Sequence, residues 1–301
     1  MGIHRHRSRG EEVCPQGPDW GSVCGSPRLV GMAVKIFEGM KGNKAFRVGI
    51  FGCLIALVGF FLLTIISLAL YVDWEILLST LVSWEIFFAI KLSLFTATIA
   101  AVLALVFAIP ASYALSRAEF WGKNMVDTLL DIPIVVSPVA FGSALLIFFN
   151  TGLGTFIEAH FLRFVFEVPG IILAQFGVVT ALAIRLMKST FDSIGQRYEI
   201  VARTLGCSAW KAFFRITLPV AKNGVVAAGI LAWARAVGEY GATVTLAGAT
   251  QMKTETLPIA IYLNIGSAEV DRAVAVTFML IGLSAASLIA LRRITGRGYS
   301  L

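Results

Sequence analysis

Residues 192–219 read DSIGQRYEIVARTLGCSAWKAFFRITLP, and the reading of this stretch decides the reading of the rest. Ile194, Tyr198, Val201, Ala202 and Leu205 recur at the spacing of one helical face. Gly206 breaks that pattern as a helix C-terminal glycine does. Ser208 is placed to cap a second helix. Trp210, Phe213, Phe214 and Thr217 form the apolar stripe of that helix, and Pro219 stops it. Arg197, Arg203, Lys211 and Arg215 fall on the outer side. The stretch is expected to form two short amphipathic helices with an elbow at Gly206.

The flanks of this loop are apolar. The chain has 301 residues, of which 57% are hydrophobic and only 14% charged, with a mean hydropathy of +0.83. A soluble domain is about a quarter charged, so the composition excludes a soluble enzyme, a disordered chain and a small disulfide scaffold. Charge-free runs lie between Arg47 and Asp73, Lys91 and Arg117, Asp131 and Glu158, Glu167 and Arg185, and Arg272 and Arg292. A further run from Asn223 to Met252 is interrupted only by Arg235 and Glu239. Each run approaches or exceeds the ~20 residues that a membrane-crossing helix requires. The expectation is an all-α membrane protein with six transmembrane helices, at about 48–72, 92–116, 130–150, 169–190, 222–250 and 272–291.

Charge placement orients these spans. With the N-terminus inside, only Lys91, Arg163, Lys253 and Arg272 of the 25 Lys and Arg fall outside, and Arg235 lies within a span. That asymmetry is the positive-inside rule, and it gives an N-in, C-in topology. The net charge of +7 is then not a nucleic-acid footprint. Residues 1–46 have no periodic pattern and no apolar core of a secretory signal, and are expected to form a partly disordered cytoplasmic tail. Met32 or Met40 would serve as alternative starts. Residues 47–301 are expected to form one transmembrane domain, with no soluble domain fused at either end.

Several chemistries are absent from the sequence. Cys14, Cys24, Cys53 and Cys207 show no CxxC spacing, and only His160 of the three histidines lies in the membrane region, so no metal site is expected. No GxxxxGK[ST] occurs, so the chain does not itself hold ATP phosphates in the P-loop manner. Ser143 and His160 cannot make an intramembrane protease pair, because His160 falls in an outer loop.

The loop resembles the EAA motif of ABC importer permeases, in which Glu-Ala-Ala, three residues and Gly lead to a hydrophobic stretch ending in Leu-Pro. Here Glu199 to Gly206 and Ile216-Thr217-Leu218-Pro219 carry the likeness. Ile200 and Val201 stand at the usual Glu and first Ala positions, and Glu199 is one residue early. Trp233 to Thr243 (WARAVGEYGAT) resembles the Arg-Ala-x-Gly-Glu-aromatic-Gly-Ala segment of the molybdate, tungstate and sulfate permeases. Thr256 to Tyr262 resembles the molybdate/tungstate branch, and Pro133 to Pro138 with Gly142 resembles that family's Pro-rich third span.

The resemblance implies the molybdate/methionine-permease-like (type I) fold and a non-catalytic permease subunit of an ATP-driven molybdate importer in a prokaryotic plasma membrane. Tungstate and sulfate are the alternative cargoes, and an ion-coupled secondary transporter is the alternative from another class. The implied assembly is a homodimer with two copies of a separate ATPase, which bind ATP and Mg, and an extracytoplasmic binding protein. This chain is expected to carry no cofactor. The ATPase-coupling residues are then Glu199, Ala202, Arg203, Leu205, Gly206, Trp210, Phe213 and Pro219. The pathway or gate candidates are Ser137, Pro138, Arg235, Gly238, Glu239, Tyr240, Gly241 and Thr243. Arg235 and Glu239, four apart on one helical face, are expected to pair, since charges within a span are costly. The small-residue stripe Ala97, Ala101, Ala104, Ala108 and Ala111 is expected to pack inside the bundle.

Overall fold

A computed structural model describes residues 44–295; the tail expected over residues 1–46 therefore lies outside the described residues up to position 43, as does Arg297. Every regular element among the described residues is a helix. Two units are distinguished, 1–66 and 67–301. In the first, the described residues belong to α1 (Lys44–Tyr71). From Val48 this helix carries no charge and is apolar on every side, so a lipid interior suits it and water does not.

The second unit continues with α2 (Trp74–Val82), whose first turn is capped by Asp73 accepting from the Glu75 N–H at 2.9 Å. Helix α3 (Trp84–Arg117) follows. Its 34 residues make it about 50 Å long, more than the ~30 Å hydrocarbon core, so its ends reach past the bilayer. Next come α4 (Lys123–Val135), α5 (Pro138–Phe149), α6 (Gly152–His160) and α7 (Val168–Ser193). The loop supplies α8 (Arg197–Thr204) and α9 (Ala209–Val220). The chain closes with α10 (Lys222–Val237), α11 (Gly241–Ala247), α12 (Leu257–Gly266) and α13 (Val270–Thr295).

The core lies between α3, α7 and α10. Ala97, Ala101, Ala104 and Ala108 of α3 are buried against Val179, Ala183 and Ile184 of α7 and Ala232, Ala236 and Val237 of α10, with Ala111 partly buried beside them. Small side chains let the backbones approach closely, and dispersion contacts then hold helices that have no hydrophobic drive to associate in lipid. Nearer the start of α3, the buried Ser93 hydroxyl accepts the Leu257 N–H at 2.8 Å, which ties the start of α12 to it.

Among the described residues, four unbroken helices are long and apolar enough to cross a membrane: α1, α3, α7 and α13. They correspond to the stretches expected at 48–72, 92–116, 169–190 and 272–291. The stretches expected at 130–150 and 222–250 differ, because each is broken. Helices α4 and α5 meet at 109° across a two-residue link. Pro138 takes the first position of α5, and Ser137 before it is extended (φ −61°, ψ 141°), as a residue preceding proline prefers. The second break falls at Gly238-Glu239-Tyr240, between α10 and α11. Glycine loses most entropy in a helix, and the buried Glu239 and Gly241 need a backbone that leaves helical register there. Freedom from charge measures how long an apolar stretch is, and leaves helix continuity undecided.

Candidate functional site

The 192–219 stretch forms the expected pair of short helices. Gly206 has φ +87°, the left-handed conformation that ends a helix, and the Cys207 N–H closes the turn on the Ala202 carbonyl at 3.0 Å. Ser208 caps α9 by accepting from the Lys211 N–H at 3.4 Å. Pro219 does not stop α9 at once: the helix runs one residue further, to Val220, and then bends 70° into α10. A π-turn at Phe213–Thr217 precedes it, with the Leu218 N–H bonded to the Phe213 carbonyl.

The faces of these helices differ from expectation. Ala202 is buried, whereas Tyr198, Val201 and Leu205 are exposed, Leu205 at 80%. Ile194 is buried but ends α7 and lies outside α8. The cause is Glu199, which faces inward. Its Oε1 accepts from Arg117 Nε at 3.1 Å and from the Thr217 hydroxyl at 3.0 Å, and its Oε2 accepts from the Tyr113 hydroxyl at 2.8 Å. With Glu199 turned in, Ala202 three residues on follows it, and the larger apolar residues point out. In α9 the expected stripe likewise splits. Thr217 is buried and Phe213 packs within 4.6 Å of the Tyr113 ring, whereas Trp210 (74% exposed) and Phe214 stack on each other outside. The outer surface of the loop is therefore Ile200, Val201, Leu205, Trp210 and Phe214, bordered by the exposed Arg197, Arg203, Lys211 and Arg215. Beneath Trp210, a cavity of about 210 Å³ is lined by Pro110, Tyr113, Ala209 and Phe213.

The two helix breaks come together. A Cβ on Gly241, which begins α11, would fall 3.0–3.1 Å from Val139 and Pro138, which begin α5. Gly142, one turn along α5, faces the Ala242 backbone, again with no room for a Cβ. Pro138, Gly241 and the Gly238–Tyr240 link thus form one junction, where irregular backbone sits within the bundle. Arg235 Nη1 lies 2.6 Å from Glu239 Oε2; the pair is held by charge, without a well-aligned hydrogen bond to that oxygen. Glu239 Oε1 accepts from the Ala242 N–H at 3.1 Å and caps the second half of the break. The Glu239 side chain is 1% exposed and that of Arg235 40%. Tyr240 packs on Tyr262 of α12 at 5.6 Å. Thr243 is fully buried and its hydroxyl has no hydrogen-bond partner among the described residues. Ser137 is exposed and caps α5 by accepting from the Ala140 N–H at 3.2 Å.

A polar cavity of about 410 Å³ opens beside the link between α11 and α12, lined among others by Glu85, Gln251, Glu255, Glu269 and Arg272. Glu255 is nearly fully buried there and accepts the Met252 N–H at 3.0 Å. Burial pushes its carboxyl above the usual range, and the nearby Glu85 adds to the shift, against the pull of the Met252 N–H. A raised carboxyl means that the ionised form is the one the fold disfavours, so the cost is absent at low pH and grows as pH rises through the ordinary range. Glu255→Gln is therefore expected to raise the thermal midpoint in detergent at neutral pH, with the gain vanishing near pH 4. An equal gain at both pH values would exclude burial of charge as the cause.

Residues 108–297 match the family described as binding-protein-dependent transport system inner membrane component. The chain belongs to this family. This permease component is 36% identical over 177 residues to the molybdenum transport system permease protein ModB of Haemophilus influenzae, covering 58% of this chain and 77% of that protein. It is 35% identical over 248 residues to the molybdate/tungstate transport system permease protein WtpB of Pyrococcus furiosus, covering 80% of this chain and 94% of the other. Among solved structures, a chain of the bacterial alginate ABC transporter in complex with an alginate pentasaccharide-bound periplasmic protein superimposes with a TM-score of 0.69 at 16% identity, over 87% of this chain and 98% of that one. The ABC permease fold is thus shared where little sequence is.

Several contacts of this inner membrane component have no local sequence signal. Asp127 and Asp131 of α4 pair with Arg185 and Lys188 of α7, with Lys188 Nζ 2.9 Å from Asp127, and this half-buried network fixes the first half of the α4–α5 break to α7. Arg117 and Tyr113 reach Glu199 from more than 80 positions away, and Thr217 beside Glu199 and Tyr262 beside Tyr240 come from neighbouring helices. The one usable hint is Glu199 itself, the single acidic residue within α8 and α9, set among basic ones.

Proposed function

We propose that this chain is the non-catalytic, membrane-spanning subunit of an ABC importer that carries molybdate, with tungstate as a second cargo. The observation that carries the reading is the near end-to-end relationship to a protein named for molybdate and tungstate transport. In this reading six spans place both termini in the cytoplasm of a prokaryotic cell, with each broken helix pair counted as one span.

Two copies of the chain form one pathway. The junction of the two breaks lines it, with Ser137, Pro138, Gly238, Tyr240, Gly241 and Thr243 beside the Arg235–Glu239 pair. Glu239 neutralises Arg235, so that the pair braces the break and presents no trap that would hold an oxyanion too tightly to release. A separate ATPase, which binds ATP and Mg, receives the outer surface of the loop. The stacked Trp210 and Phe214, with Leu205 and Val201, suit a groove, and Arg203 and Lys211 suit its acidic border. An extracytoplasmic binding protein delivers the oxyanion to the other side. ATP-driven closure of the ATPase pair then shifts the population between inward- and outward-open states.

The test is uptake by vesicles that contain the chain with its ATPase, supplied with the binding protein. The expected result is molybdate uptake that requires ATP and is competed by tungstate far better than by sulfate. Uptake that persists without ATP and collapses with an ionophore would replace this reading with a secondary transporter. Preferential carriage of sulfate would overturn the cargo alone.

A further inference from the structure

The loop is joined to α10 covalently, through the 70° bend after Val220. Its other grip on the bundle is made by side chains. Tyr113, Ser116 and Arg117 occupy the last turn of α3, at the spacing that places them on one side of the helix. Tyr113 and Arg117 both donate to the Glu199 carboxylate, which also accepts from Thr217 of α9. Arg117 continues from Glu199 to the end of α7, where Nη2 donates to the Ile194 carbonyl at 2.8 Å. Ser116 donates to Asp192 Oδ1 at 2.5 Å. The Tyr113 ring packs between Phe191 of α7 and Phe213 of α9. Arg117 and Glu199 are each 12% exposed, so their ion pair is largely shielded from water and salt. Charge-assisted hydrogen bonds of this kind are the stronger and more directional ones.

This arrangement has a mechanical meaning. Helix α3 is the central helix of the core, close-packed on α7 and α10 through its alanines. A displacement of the loop reaches α10 through the backbone. It reaches α3 through Glu199, because all three donors to that carboxylate come from α3 and α9. The outer side of the same short helix α8 carries the exposed Ile200, Val201 and Leu205. Glu199 therefore sits between the surface offered outward and the helix to be moved.

We propose that Arg117, Tyr113 and Thr217 are positioning residues that lock Glu199 into a single node, so that α3 moves with the loop during the transport cycle. This rests on the reading that the loop receives the movement of an ATPase. Without the node, the loop and α10 would move while α3 lags, and ATP would be hydrolysed without productive opening of the pathway.

The experiment uses the complete transporter in vesicles and measures ATP hydrolysed per molybdate delivered. Arg117→Met is expected to raise that ratio by at least about fivefold, the lower end of the range over which site-to-site coupling runs, while hydrolysis continues. Arg117→Lys, which keeps the charge, is expected to recover part of the loss. Tyr113→Phe and Thr217→Val remove one hydrogen bond each and keep the packing; they are expected to shift the ratio in the same direction by less, and they serve if Arg117→Met fails to assemble. A ratio unchanged in all of these variants, or hydrolysis and uptake falling together in proportion, overturns the proposal.

A second measurement does not depend on the cargo. Spin labels at Tyr198→Cys and Phe120→Cys, both exposed and outside the surface assigned to the ATPase, on a background without the native cysteines, report the distance between the loop and the end of α3. In the otherwise unaltered complex this distance is expected to stay fixed between nucleotide-free and ATP-bound states, and in Arg117→Met to change. A distance that changes equally in both proteins overturns the node even if molybdate proves to be the wrong cargo. Absence of ATP-driven uptake by the unaltered complex, with the label distance fixed, counts against the cargo and in favour of the node.

Discussion

Arg235→Ala is expected to destabilise the folded protein by about 2–3 kcal/mol, below the ~3–5 kcal/mol for breaking a fully buried ion pair, because Arg235 is 40% exposed and solvent screens part of its charge. The asymmetry of the pair makes the expectation specific. Glu239 is 1% exposed, with Arg235 as its one charged partner among the described residues, at 2.6 Å. With Arg235 truncated, the carboxylate keeps only the Ala242 N–H. Glu239→Gln leaves a different situation: the amide oxygen can still accept from Ala242, and the 40% exposed Arg235 retains access to solvent. Its cost should be well below that of Arg235→Ala. Changing both residues to Met removes both charges at once, and such replacements are often neutral or stabilising. The double variant should therefore recover most of the stability lost in Arg235→Ala. Thermal unfolding of the four purified proteins in detergent measures all three comparisons. Equal losses for Arg235→Ala and Glu239→Gln would show that burial of Glu239 does not set the energetics of the break.

Gly142→Leu is expected to be nearly as damaging, through packing in place of charge. A Cβ at Gly142 would fall 2.7 and 2.8 Å from the Ala242 carbonyl oxygen and Cα. Backbone atoms of a helix cannot turn aside as the end of a flexible side chain can, so α5 must move away from α11. Overpacking of a well-packed core costs about 1–3 kcal/mol and occasionally more, and here it would also separate the two breaks. Gly142→Ala should already lower the thermal midpoint, and Gly142→Leu should lower it further. Gly152→Leu is the comparison, since a Cβ there meets nothing within 4 Å; its midpoint should stay close to that of the unaltered protein. A Gly142→Leu protein as stable as the Gly152→Leu protein would mean that α5 and α11 do not approach closely.

These two sites also mark where the sequence was readable. Freedom from charge located the apolar helices, because lipid excludes charge so strongly that a run such as 92–116 leaves little else to choose. Local backbone chemistry was legible too: Gly206 adopts the left-handed turn and Ser208 the cap that their residue types favour. The directions of side chains in the loop were not. Tyr198, Val201 and Leu205 suggest an inward face by periodicity alone, which assumes that apolar residues seek the core. A single buried carboxylate reverses the helix, and its three donors lie at Tyr113, Arg117 and Thr217, two of them more than 80 positions away. The same limit hid the Asp127–Lys188 contact, since pairing across helices depends on packing that no local window contains. The broken spans fall between these extremes. Pro133, Pro138, Gly238 and Gly241 signal irregular backbone, and the meeting of the two breaks belongs to tertiary structure.

The alanine ladder of α3 has an evolutionary consequence. Ala97, Ala101, Ala104 and Ala108 occupy sites where one added methylene has no space to enter, and where a glycine would loosen the helix. Random drift can exchange the exposed Glu119 for Asp, or a lipid-facing Leu for Ile, with little penalty. At the ladder the accessible neighbours in sequence space shrink to a few small residues. Lineages that share this fold can therefore diverge widely in their charges and aromatic residues while the footprint of this stripe stays narrow. A catalogue of tolerated substitutions would show it as a row of sites poor in alternatives, three or four residues apart, running through an otherwise permissive helix.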